Sequence, residues 1–189
     1  SNPLKGWSLD SSSSSKWGEL LGRFSTENLS KSFSLDGQPA SIAFDFIRVD
    51  SWDGEAFVIK SGDHVLLSQR FSCGASSNGV FGWDARSPVS GTTDIPGQGT
   101  FSWSITPIET AYGADAAIGN DRWNDQKFRI EIQAPSGLDQ LDLSLSSTLD
   151  QGLNDESWAI SDFSLQPLSR PLYLVVIIFS IKICILMII

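Results

Sequence analysis

From Ser41 to Ile47 the chain reads Ser-Ile-Ala-Phe-Asp-Phe-Ile, which puts Ile42, Phe44 and Phe46 on one face with a period of two. That period belongs to half-buried strands, not helices. Phe101-Ser102-Trp103-Ser104-Ile105 alternates more strictly, and 127–133 and 141–145 repeat the pattern. Further strands are expected at 31–35, 56–60, 64–70 and 158–166, separated by Gly, Pro, Asn and Ser. Eight or so short strands of this kind predict an all-β, jelly-roll-like antiparallel β-sandwich. Trp103 and Trp158, which keep step with Phe101, Ile105 and Ile160, belong to its core.

Other segments read differently. Lys16–Phe24 has a faintly helical pattern, weakened by Gly18 and Gly22. Ser11–Ser15 is too polar to pack and predicts a flexible loop, and the Gly-, Ser-, Pro- and Thr-rich stretch 74–99 predicts a long irregular connection. At Pro171 the composition changes: residues 171–189 carry one charge, Lys182, and no Gly. About 20 apolar residues suffice to span a bilayer, so this tail is a candidate C-terminal transmembrane helix. Lys182 counts against it, because a charge inside a span has to snorkel or find a partner. The expected organisation is therefore a β-sandwich ectodomain over 1–170, its core about 7–167, and an anchor over 171–189. A start at Ser1 in place of Met reads as processing, with room for a removed signal peptide.

Charge narrows the partners. Thirteen Lys and Arg against 22 Asp and Glu give a net charge of −9. Removing the positive charge of Lys182 leaves −10 for residues 1–170. An acidic domain is a poor ligand for nucleic acid. Seven Trp and 11 Phe exclude a disordered chain. Two cysteines, Cys73 and Cys184, build no disulfide framework, and the single histidine, His64, excludes multi-histidine metal sites. His64 beside Asp63 reads as an edge or turn residue. What remains is carboxylate chemistry.

Three acidic clusters each precede a strand: Asp50-Ser51-Trp52-Asp53-Gly54-Glu55, Asn120-Asp121-Arg122-Trp123-Asn124-Asp125 and Asn154-Asp155-Glu156-Ser157-Trp158. Calcium takes six to eight oxygen ligands from separate loops, so Asp50, Asp53, Glu55, Asp125, Asp155 and Glu156 are candidate calcium ligands, although solvated turns use the same residues. Trp52, Trp83 and Trp123 each lie within two residues of an Asp, and with Asp84 they form a candidate carbohydrate-binding set, the aromatic faces stacking on sugar rings and the carboxylate accepting hydroxyl protons. Packing at the rim of the sandwich accounts for such tryptophans equally well. A carboxylate-dependent glycosidase needs two acids about 5 to 9.5 Å apart, for which Asp50, Asp53, Glu55 and Glu156 qualify by number alone. No Gly-x-Ser-x-Gly elbow accompanies His64. Asn28-Leu29-Ser30 is an acceptor sequon that matters only on a eukaryotic secretory route.

The series Gly22-Arg23-Phe24, Phe44-Asp45-Phe46-Ile47-Arg48-Val49-Asp50-Ser51-Trp52-Asp53-Gly54-Glu55, Trp123-Asn124-Asp125 and Asp155-Glu156-Ser157-Trp158-Ala159-Ile160 resembles a lectin-like β-sandwich module of cyanobacterial and protist surface proteins. The resemblance covers about 7–167, and its Asp-Ser-Trp-Asp-x-Glu and Asp-Glu-Ser-Trp elements are its specific parts. It implies a jelly-roll-like fold and an extracellular or lumenal binding role, with no activity that transfers residue by residue. The combined expectation is a non-catalytic, membrane-anchored domain that recognises a glycan or a surface protein with the help of calcium. The alternative is a structural subunit of a membrane complex, its tail packed against other helices.

Overall fold

The computed structural model describes residues 4–112, 118–119 and 122–168. Twelve strands run in chain order: β1 Ser12–Ser15, β2 Gly18–Phe24, β3 Leu29–Ser34, β4 Ala40–Asp50, β5 Asp53–Ser61, β6 His64–Ser72, β7 Val80–Phe81, β8 Val89–Ile95, β9 Gly99–Ala111, β10 Asp125–Ala134, β11 Gln140–Ser147 and β12 Glu156–Pro167. Seven form one sheet in the order β1-β2-β12-β4-β10-β9-β8, and five form the other in the order β3-β11-β5-β6-β7. The protein is all-β, and the two sheets face each other as a β-sandwich. All pairings within the sheets are antiparallel except that of β6 with the two-residue β7 at one edge, which runs parallel.

The period-two pattern explains the packing. Phe44 and Phe46 of β4 face inward, and their partners across the ladder, Ile130 and Phe128 of β10, do the same. Phe46 is the centre of an aromatic cluster: its ring centroid lies 4.1 Å from Phe57, 4.9 Å from Phe71 and 5.8 Å from Trp52. Phe57 and Phe71 belong to the opposite sheet, so this cluster fastens one layer to the other. Trp158 is fully buried, as expected; Trp103 is half-buried and packs against the same core. β4 is also covered outside. Ile47 and Val49 pack with Leu20 and Ala159 beneath Trp17 and Ile118.

Three expectations are corrected. Ser12–Ser15 is an edge strand, and Lys16–Phe24 turns and continues as β2: Ser15 pairs with Gly18 across a two-residue turn at Lys16-Trp17, and the Trp17 backbone N–H donates to Ser15 Oγ at 3.0 Å. A polar strand suits this edge, where Ser12 and Ser14 are exposed. The 74–99 stretch contains β7 and β8. Its first part is folded against itself: Gly82 lies so close to the backbone of Gly74–Ser76 that a Cβ there would collide with it. The expected membrane span 171–189 lies outside the described residues, among which no helix is long and apolar enough to cross a membrane.

Replacing Phe46 by Ala empties the centre of the cluster. The expected cost is about 3–5 kcal/mol, a fall in Tm on the order of 10 °C for a domain of this size, read by differential scanning calorimetry.

Candidate functional site

The inner face of the seven-stranded sheet changes character at one end. Reading along β4, Ile42, Phe44 and Phe46 are followed by Arg48, all wholly buried, and the strand closes at Asp50, also wholly buried, where a φ of +66° breaks the alternation of faces. In register with Arg48 stand Gln126 of β10 and Trp158 of β12, and in register with Asp50 stands Glu156. A polar layer therefore caps the apolar core across three adjacent strands. The β4–β5 turn, the segment before β10 and the β11–β12 connection all gather at this end, the three acidic clusters of the sequence.

Arg48 organises part of it. Its Nη1 donates to Asp50 O at 2.6 Å and its Nη2 to Asn124 Oδ1, while Asn124 Nδ2 donates to Cys73 O at 2.8 Å. Burial lowers the guanidinium pKa to about 10, against the opposing influence of Cys73, Asp125 and Asp50, so it remains charged at neutral pH. Asp125 accepts the backbone N–H of Asp50 at 3.1 Å and that of Ile118 at 2.8 Å. Asp50 also faces Arg23 Nη2 at 3.4 Å. Gly119, at a φ of +87°, passes so close to the Asp50 carboxylate that a side chain there would collide with it. Asp50 and Asp125, expected as calcium ligands, are thus placed against the chain's own guanidinium groups and backbone amides.

A second acidic focus has a different character. Ligand oxygens of Glu55, Asp150 and Glu156 lie within 4.8 Å of one another. Glu55 comes from β5, Glu156 from β12 of the facing sheet, and Asp150 from the connection between β11 and β12. Antiparallel pairing sets the approach: Ser147 pairs with Phe57, and the next residue continues the ladder, since Thr148 N donates to Ala56 O and Ala56 N to Thr148 Oγ1. Two steps further, Asp150 stands beside Glu55. Glu55 Oε2 is turned back onto its own strand, accepting the N–H groups of Asp53 at 2.7 Å and Gly54 at 3.1 Å. Glu156 is 0% exposed, and neither of its oxygens has a hydrogen-bond partner. Its carboxyl is pushed up to about 7, first by burial and then by the negative charges of Glu55, Asp150, Asp53 and Asp155. Burial also raises the Glu55 carboxyl.

Of the expected calcium ligands, the structure therefore brings Glu55 and Glu156 together and adds Asp150, which carried no motif of its own. Asp53 and Asp155 are exposed on the rim, where Asp155 Oδ1 accepts Ser51 Oγ at 2.8 Å. Comparison with protein-family models, curated proteins and solved structures finds no match to this chain.

The candidate sugar-binding set is divided as well. Trp52 is 0% exposed, packed edge-on against Phe46 and Phe71, and it donates its indole N–H to Ser157 O at 2.9 Å. Its faces are closed to any ligand, which corrects the expectation for this residue. Trp83 and Trp123 are exposed at 39% and 44%. Asp84 accepts the Ser76 N–H at 2.6 Å, and hydrogen bonds from Ser76 hold its carboxyl below the ordinary range, so it fastens the loop that carries Trp83. Trp83 has a neighbour the sequence pattern did not single out: Tyr112, at 6.3 Å between ring centroids and 72° between planes. Beside Tyr112 opens a cavity of about 180 Å³ bordered by Arg86, Ile108 and Glu109.

Arg48→Met removes the donors to Asp50 O and Asn124 Oδ1 and the buried positive charge near Asp50 and Asp125, and is expected to cost about 3–5 kcal/mol in chemical denaturation. With divalent ions chelated, the folded state holds the Glu156 proton to higher pH than the unfolded chain does, from an ordinary value of 4.5 to about 7. Stability is therefore expected to fall as pH rises through that window, and the slope of Tm against pH should flatten in Glu156→Gln. An equal slope in both proteins would refute the assignment.

Proposed function

We propose that this chain is a non-catalytic recognition domain, extracellular or lumenal, with a carbohydrate as its ligand. The observation that carries the reading is the exposed Trp83–Tyr112 pair beside a small cavity edged by Arg86 and Glu109. Two rings inclined at 72° offer one face for stacking and one edge for lateral contact with a pyranose, and the neighbouring Arg86 guanidinium supplies a donor for hydroxyls. Hydrogen bonds hold the loop in place: Trp83 N donates to Gly74 O at 2.9 Å, and Trp83 O accepts Arg86 Nη1 at 3.1 Å and Thr110 Oγ1 at 3.3 Å. Little ordering remains to be done on binding.

The resemblance to lectin-like modules agrees with this reading, as do the non-consecutive strand neighbours β12-β4-β10 and β3-β11-β5, which suit a jelly-roll-like topology. Segment 171–189 serves in this reading as the membrane tether. Catalysis by Glu55 and Glu156 is the weaker reading because the Glu156 oxygens are closed to solvent. A glycosidase has to seat a sugar ring against both acids, and no ring reaches this one.

A glycan array followed by titration tests the proposal. Binding of a defined saccharide class is expected, and Trp83→Ala and Tyr112→Ala should each weaken it tenfold or more while leaving Tm within a few degrees, since both rings are exposed. A blank array, or full affinity in both variants, would overturn it.

A further inference from the structure

We propose that Glu55, Asp150 and Glu156 bind a calcium ion that clasps the two sheets at the loop end of the sandwich. The three oxygens come from β5, from the β11–β12 connection and from β12, so one ion there would join both layers. A cluster of acids is common on protein surfaces. What distinguishes this one is Glu156, a carboxylate wholly removed from water, aimed at two other carboxylates and accepting no hydrogen bond. An ionised carboxylate in that position is strongly unfavourable unless a positive charge meets it. Among the described residues, the ion pairs made by Lys16, Arg23, Lys127 and Arg129 go to Glu109, Asp50 and Asp45 and not to this trio.

The ligand chemistry selects the ion. Three carboxylates with no imidazole or thiolate form a hard-oxygen set. Calcium holds its oxygens at about 2.3–2.6 Å, so two ligands on opposite sides stand about 4.6–5.2 Å apart. Oxygens within 4.8 Å of one another can share one such ion, and three protein carboxylates suit calcium, whereas magnesium keeps most of its waters and takes one or two carboxylates. Glu55 is preset by its two backbone amides. Asp150 is exposed and Glu55 half-exposed, which gives a small ion a way in and leaves room for water to complete its shell.

The experiment is a thermal melt of the full chain, first stripped with chelator and then titrated with calcium chloride to millimolar concentration, with no saccharide present. A rise in Tm of several degrees is expected, because binding to the native state alone must stabilise it. Asp150→Asn, exposed and so harmless to folding, should lose most of that rise, as should Glu156→Gln. Asp63→Asn, in the β5–β6 turn away from the trio, should keep it. Terbium(III) luminescence excited through tryptophan provides a second readout, displaced by calcium in the wild type and diminished in Asp150→Asn. An unchanged wild-type Tm, or a rise equal in wild type and Asp150→Asn, would overturn the proposal. The saccharide reading stands or falls separately, on the array.

Discussion

The buried charge of Arg48 is the constraint around which the functional end is built. A guanidinium withdrawn from water is strongly unfavourable unless its protons are received and its charge is met; in Arg48 both Nη groups donate, while the buried Nε has no partner among the described residues. Meeting those conditions recruits residues far apart in sequence: the Asp50 carbonyl closes the end of β4, Asn124 brings in the start of β10, and Asn124 in turn holds Cys73 at the end of β6. Asp125 fixes the next layer through the amides of Asp50 and Ile118. Three connections that would otherwise move independently share one electrostatic centre.

That centre has a limited reach. Arg48 and Arg23 lie with Asp50, and the carboxylates one strand further out, where Glu156 stands in register with Asp50, belong to a different balance. Glu156 is surrounded by Glu55, Asp150, Asp53 and Asp155, each adding to the cost of its ionisation. The end of the sandwich is therefore divided into a neutralised half, which holds the loops in place, and a negative half, which stores unfavourable charge. In a protein of net charge −9 this is the region most sensitive to protons and cations.

The aromatic loop relies on a different device. The segment between β6 and β8 has few apolar positions and is ordered instead by local hydrogen bonds: Asp84 and Trp83 each reach back to the 74–76 stretch. An ordered polar loop can present large side chains outward without burying them, which is how Trp83 comes to be exposed next to Tyr112. Trp52, six residues after Phe46 and next to an equally acidic turn, has the opposite fate because its strand end points into the core.

The strands of the core were legible because burial on one face imposes a period of two, and eight expected strands coincide with β3, β4, β5, β6, β9, β10, β11 and β12. Polar edge strands such as β1 and β8 bury too little to leave that trace, and a serine run reads equally well as a loop. The acidic character of the turns was likewise visible. Which acids would face an arginine and which would face one another was not, because that depends on the register of β12 against β4 and of β11 against β5, and a change of one residue reverses every side chain. Periodicity and composition alone specify a two-layer β fold with carboxylates collected in its turns. That Asp50 and Asp125 lie with Arg48 while Glu156 is buried beside Glu55 and Asp150 follows from the fold, because charges act through distances that strand pairing alone sets.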